Sequence, residues 1–161
     1  MTLDTIPAAT PRIRPFVPTD AMACGAIVEA TPLWQRYGLS GAQLAQRLLE
    51  TSDPVLVAER EGQLVGFAWI LRRGAFGRSA YLRLIAVAPE RRGERIGEAL
   101  LEAFEALARE VGDDGFLLVS DFNEGAQRFY ARLGYAQVGR LEDLVLPGVA
   151  ELLFRKRLRP S

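Results

Sequence analysis

The sequence predicts an α/β (α+β) fold with one mixed, largely antiparallel sheet of about seven strands flanked by about four helices. Three observations carry this. Strand-like and helix-like runs follow one another in the order β, α, α, β, β, β, α, β, α, β, β. Short turn signals, REGQ and LPG, join neighbouring strand runs and leave no room for a crossover helix. Apolar residues make up 49% of the 161 positions, enough for a sizeable core in one domain.

Each element has a local reason. Residues 1–10 read as a flexible N-terminus and 11–161 as a single domain. Arg12 to Phe16 form a short edge strand that tolerates Pro15. Thr19 caps a helix with Met22, Ile27 and Val28 on its apolar side, and Thr31-Pro32 ends it because a residue before proline leaves the helical region. PLWQRYG then reads as a loop. Ser40 and Gln43 have capping-box spacing, opening a helix whose face is Leu44, Leu48 and Leu49. Val55–Glu59 and Leu64–Leu71 form a hairpin around Gly62. Tyr81–Ala88 is apolar except at Arg83, as in a strand covered on both faces, and stops at Pro89. Residues 96–111 place Ile96, Leu100, Leu101, Phe104, Leu107, Ala108 and Val111 on one helical face, with Gly112 as the stop. Strand Phe116–Ser120, a helix capped by Asn123 and closed by Gly134, and strands Tyr135–Val145 and Val149–Leu158 complete the chain.

Composition removes whole classes of chemistry. With 20 basic and 20 acidic residues the net charge is zero, which does not support a nucleic-acid-binding domain. Histidine is absent, so no Ser-His-Asp or Cys-His pair, no HExxH zinc site and no imidazole acid or base can form. No metal is expected. Cys24, the single cysteine, lies in the apolar run MACGAI and reads as a buried thiol in a reducing compartment. No run reaches the length of a membrane span and the start lacks the apolar core of a signal peptide, so a cytoplasmic location is expected.

Chemistry concentrates in LIAVAPERRGERIGEALL, residues 84–101. A buried strand there runs through a short Arg/Gly connection into a helix, whose first turn presents unpaired N–H groups and partial positive charge. Gly93 and Gly97 allow close approach of an anion, and Arg91, Arg92 and Arg95 add full charges. An ordinary strand-helix connection with solvated arginines is the competing reading.

This segment resembles the acyl-CoA-binding motif of the GNAT N-acetyltransferase superfamily, matching at Arg92, Ile96 and Gly97. Arg95 stands where the family has its first glycine. NEGAQRFYARLGY, residues 123–135, resembles the family's second motif at Asn123, Ala126, Phe129, Tyr130, Gly134 and Tyr135. The element order over nearly the whole chain resembles that of a single GNAT-like domain.

The resemblance implies site roles. Backbone groups of Ile85, Ala86 and Val87 would meet the pantetheine arm and thioester. Arg92, Gly93, Glu94, Arg95, Ile96 and Gly97, with the Glu98 N–H, would hold the pyrophosphate. Asn123 would contact CoA, or serve only as a helix cap. Tyr130 would protonate the departing thiolate, a role that suits a phenol neutral at pH 7. Neither Tyr81–Ala88 nor Phe116–Ser120 supplies an acid to act as general base. Asp121 and Glu29 are candidates, with deprotonation through ordered water preferred. Acceptor recognition is expected from 29–40, where Trp34 and Tyr37 stand, and from the turn Leu146–Val149.

The implied function is an acetyl-CoA-dependent N-acetyltransferase moving acetyl directly to a primary amine, with a small molecule or amino acid ahead of a protein or peptide as acceptor. A non-catalytic acyl-CoA-binding or sensor domain is the alternative. Acetyl-CoA is the expected co-substrate, with no nucleic-acid or membrane partner; a homodimer is compatible with the sequence. The zero net charge is a cancellation: residues 61–95 carry a net of +4 and residues 96–151 a net of −7. The basic half ends on the loop that would meet a polyanion, and the acidic half favours a cationic amine.

Overall fold

A computed structural model describes residues 9–159; the first eight positions of the expected flexible N-terminus lie outside them. Seven strands form one sheet: β1 (Arg12–Pro15), β2 (Val55–Arg60), β3 (Gln63–Ala75), β4 (Ser79–Val87), β5 (Asp114–Ser120), β6 (Ala136–Glu142) and β7 (Ala150–Arg157). Their spatial order is β1-β2-β3-β4-β5-β7-β6, and every neighbouring pair is antiparallel except β4 with β5. That parallel pair needs a crossover, which α4 (Ile96–Val111) supplies. The other helices are α1 (Ala21–Glu29), α2 (Pro32–Arg36), α3 (Gly41–Glu50) and α5 (Glu124–Arg132).

Helices cover both faces of the sheet. Ile96, Leu100, Leu101, Phe104 and Ala108 of α4 pack with Tyr130 of α5 and with Leu117, Val119, Leu152 and Phe154 of the sheet. Cys24, Ile27, Val28, Leu44 and Leu48 of α1 and α3 pack against Val57, Phe67, Leu84 and Ala86 on the opposite face. Burial pushes the Cys24 thiol up to about 12, which makes it inert.

Strand β4 serves both cores by means of a bulge. Trp69 pairs with Leu84 and Ile70 with Leu82, so Arg83 is an extra residue with no partner. Ala80 and Leu82 face α4 before it; Leu84 and Ala86 face α1 and α3 after it. The exposed Arg83 guanidinium lies 4.3 Å from the Trp69 ring. The one polar residue in the run is therefore the one that belongs to neither core.

Several boundaries differ from the sequence reading for identifiable reasons. PLWQRYG is not all loop: Pro32 opens the five-residue α2, whose fixed φ suits a first helical position. Ahead of α1, Pro18–Asp20 form a 3₁₀ turn, and Asp20 rather than Thr19 stands at the N-cap of α1, its carboxylate accepting from Val17 N–H at 2.8 Å across the turn. Arg14 holds Asp20 by two bonds of 2.7 and 2.8 Å and reaches Glu59 at 2.8 Å, which keeps the Asp20 carboxyl below its usual range. Met22 and Leu49 are exposed, not core. The β3–β4 hairpin runs on to Ala75 and Ser79 because Phe76 and Gly77 both take positive φ in a turn that Arg78 N–H closes onto the Ala75 carbonyl at 3.1 Å. A phenylalanine there gives no turn signal. The strand expected to end at Val145 stops at Glu142.

The closest helix contact rests on two glycines. A Cβ on Gly25 would stand 2.5 Å from the Gly41 carbonyl oxygen, and one on Gly41 would stand 2.4 Å from that of Gly25. The α1 and α3 backbones therefore touch, and any side chain must separate them. Gly25→Ala and Gly41→Ala are each expected to lower unfolding free energy by about 1–3 kcal/mol in a urea titration, more than an alanine placed at the open Gly125.

Candidate active site

The parallel pairing of β4 with β5 covers only Ala80–Gly115, Tyr81–Phe116 and Leu82–Leu117. Beyond it the strands part. Leu84, Ile85, Ala86 and Val87 still pair with β3 on one side, while their β5-facing backbone groups have no strand partner. A cavity of about 1090 Å³ occupies this opening, bounded by the end of β4, the β4–α4 loop, the β5–α5 connection and α2.

The β4–α4 loop forms the anion-binding wall. Gly93 takes φ +82 and Arg95 takes φ +62, ψ +21, so the chain passes twice through the left-handed region. Arg95 thus adopts the conformation that a glycine would favour at this position, at a strain of about 1–3 kcal/mol. Hydrogen bonding of α4 begins with Ala99 N–H to the Arg95 carbonyl at 3.2 Å. The N–H groups of Arg95, Ile96, Gly97 and Glu98 consequently lack intrahelical acceptors. Arg92 and Arg95 are exposed at the rim, without an acidic partner among the described residues. Beneath the loop, buried Arg60 pairs with Glu94 at 3.3 Å and fixes it to β2.

Ile85, Ala86, Val87, Arg92, Gly93, Arg95, Ile96, Gly97, Glu98 and Asn123 all line this cavity. Glu94 turns away into a smaller recess with Arg60. Asn123 caps α5 by accepting from Ala126 N–H at 3.2 Å, so both of its readings coexist. Gly97 permits a tight helix contact, since a Cβ there would stand 3.3 Å from the Phe129 ring.

Tyr130 also borders the cavity, and burial, with a smaller contribution from Tyr81, raises its phenol, keeping the proton on oxygen at neutral pH. Its ring is held edge-on by Phe129 at 5.1 Å and Tyr135 at 5.8 Å. Both Phe129 and Tyr130 reach the cavity. No hydrogen bond engages the Tyr130 hydroxyl among the described residues.

The acceptor candidates scatter. Trp34 lines the cavity. Glu29 accepts from Gly41 N–H at 2.7 Å, joining α1 to α3. Asp121 pairs with Arg140 at 3.5 Å and accepts from Ala150 N–H at 3.3 Å. Tyr37 lies outside the cavity wall, hydrogen-bonded to Ser120 and Glu151. The sequence reading omitted Arg36, Phe122 and Arg132 from the lining, and it passed over Glu151, which stands with Tyr37 outside the cavity wall. Glu151 had one available signal: it is the only acid within the apolar run Val149–Phe154. No group of three or more Cys, Asp or Glu that could hold a metal occurs among the described residues, and no helix is long and apolar enough to cross a membrane.

A mixed sheet thus parts beside a helix N-terminus, with a phenol bordering the opening. The profile of the acetyltransferase (GNAT) family matches residues 23–135, and the chain belongs to that family. It is 35% identical over 112 residues to a mycothiol acetyltransferase of Brachybacterium faecium, covering 66% of this chain and 34% of that protein. The chain thus spans about a third of that relative's length. A ribosomal-protein-alanine N-acetyltransferase from Brucella melitensis superposes with a TM-score of 0.74 at 28% identity, over 91% of this chain and 99% of that one. An aminoglycoside 6'-N-acetyltransferase complexed with coenzyme A shares the fold, with a TM-score of 0.76 at 20% identity over 93% and 98%.

The left-handed Arg95 gives a stability test. Arg95→Gly is expected to hold unfolding free energy or raise it by up to about 1 kcal/mol, whereas Arg95→Val lowers it by about 1–2 kcal/mol in urea titrations.

Proposed function

We propose that this protein transfers an acetyl group from acetyl-CoA directly to a primary amine, with a small molecule or amino acid as acceptor ahead of a protein. The observation that carries this reading is one cavity joining a left-handed, amide-rich loop to unpaired β4 backbone groups and a protonated Tyr130. Acetyl-CoA supplies the activated thioester. The residues present fit it: Gly93 and the first turn of α4 offer amides to a pyrophosphate, and exposed Arg92 and Arg95 offer charge.

The unpaired edge of Ile85–Val87 can hydrogen-bond an extended amide-bearing arm as β5 would have done. That fixes the arm along the opening and aligns its end with Tyr130. Backbone N–H groups there can polarise the carbonyl under attack. Tyr130 then donates its proton to the departing sulfur. Its enclosure by Phe129, Tyr135 and Phe154 keeps the phenol oriented and its charged form disfavoured until that moment.

The test is steady-state kinetics of Tyr130→Phe with isothermal titration of acetyl-CoA. The expected result is a fall in kcat of about 10²-fold or more with the dissociation constant for acetyl-CoA unchanged within about twofold. An unchanged kcat with chemistry rate-limiting would remove the proton-donor role. Tight acetyl-CoA binding by the native protein without turnover of any amine would instead favour the acyl-CoA-binding reading.

A further inference from the structure

Three carboxylates are buried among the described residues, and two have cations. Asp20 is held by Arg14 at 2.7 Å, and Glu105 by Lys156 at 3.0 Å. Glu151, 5% exposed, has no cationic partner among the described residues. Tyr37 Oη donates to its Oε1, and because that phenol has one proton, Ser120 Oγ donates to Tyr37. The other carboxylate oxygen has no hydrogen bond among the described residues. A buried anion satisfied by one hydroxyl is costly unless a cation joins it.

Its place in the sheet says which cation. Glu151 pairs with Ser120 across β5 and β7. Had the parallel ladder continued past Leu82–Leu117, Ser120 would have stood opposite Ile85. Ser120 and Glu151 therefore lie past the last β4–β5 pair, and the Glu151 charge reaches Tyr81 on β4. Leu152 and Phe154 point to the α4–α5 core, so Glu151 points to the opposite face, where α2 lies. Other polar groups around it are Arg36 of α2 and Tyr37 just past it, Tyr81 and Arg83 from β4, and Asp121 beyond Ser120. Arg140 and Glu142 flank its β6 neighbour Leu141. Arg36 is drawn over the Phe122 ring at 3.7 Å, Arg83 over Trp69, and Arg140 to Asp121.

We propose that Glu151 receives the acceptor's primary ammonium at its free oxygen and takes one proton from it, making the acceptor a cationic primary amine; this rests on the acetyl-transfer reading. Tyr37 is its positioning residue. The proton removed from R–NH₃⁺ goes to Glu151 and leaves a neutral amine. Its lone pair forms the C–N bond to the acetyl carbonyl carbon, and the C–S bond breaks with its electrons on sulfur. Tyr130 protonates the sulfur, and the second proton from nitrogen restores the Tyr130 phenol. Glu151 then releases its proton to water, so ammonium and thioester give amide, thiol and one proton.

The experiment measures thiol release from acetyl-CoA with benzylamine, spermidine, kanamycin, alanine amide and an Ala-initiated hexapeptide, using the native protein, Glu151→Gln, Glu151→Asp and Tyr37→Phe. At least one amine is expected to be acetylated, with kcat/KM falling about 10²- to 10³-fold in Glu151→Gln and acetyl-CoA affinity unchanged. Glu151→Asp, which keeps the charge, should recover about tenfold of that loss and keeps the test open if the Gln variant does not fold. Tyr37→Phe should cost less than about tenfold. Native-like kcat/KM in Glu151→Gln, or an equal loss in Tyr37→Phe, would overturn the assignment while leaving acetyl transfer standing. Acetyl-CoA binding without acetylation of any of the five amines would overturn the transfer reading and this inference with it.

Discussion

The parting of β4 from β5 after three paired residues is the constraint on which the site depends. In a continued ladder, the β5-facing amides and carbonyls of Ile85–Val87 would be spent on Ser120 and the residues after it, and no cavity would exist. Two features hold the strands apart. The Arg83 bulge bends β4 at the point where pairing stops. Tyr130, packed among Phe129, Tyr135 and Phe154, brings an aromatic body to the α5 side of the opening. The same opening thus leaves backbone groups for an extended ligand and places the phenol beside them.

The loop that closes one end of the opening shows how a departure from a motif can be absorbed. Arg95 takes the left-handed conformation that a glycine would favour there, as the N-cap residue of α4. A guanidinium is gained at the rim in exchange for strain. Buried Arg60 ties the loop to β2 through Glu94, so Glu94 supports the loop from behind while its neighbours border the cavity.

Much of the fold was legible because it follows from local pattern. The α4 face, the Ser40–Gln43 capping box, the Gly62 turn and the strand order along the chain all follow from spacing that physics ties to one conformation. What remained hidden depends on partners distant in sequence. Nothing in MACGAI or SGAQ announces that Gly25 and Gly41 touch. Trp34 and Tyr37 look alike in PLWQRYG, yet a short helix aims one into the cavity and the other at β7. Glu151 was concealed in an apolar run, and its isolation from any cation is visible only when β5, β7 and α2 are assembled. Asp121 and Glu29 drew attention as acids near the right loops, but both are engaged in joining elements.

The central claim is that the unpaired edge of β4 receives the acyl-CoA arm in the place of β5. Amide hydrogen exchange of the native protein with and without coenzyme A tests it most directly. The account predicts that Ile85–Val87 and Arg95–Glu98 gain protection on binding while β1 and β2 exchange as before. Protection confined to other segments, with Ile85–Val87 unchanged at saturating coenzyme A, would contradict it.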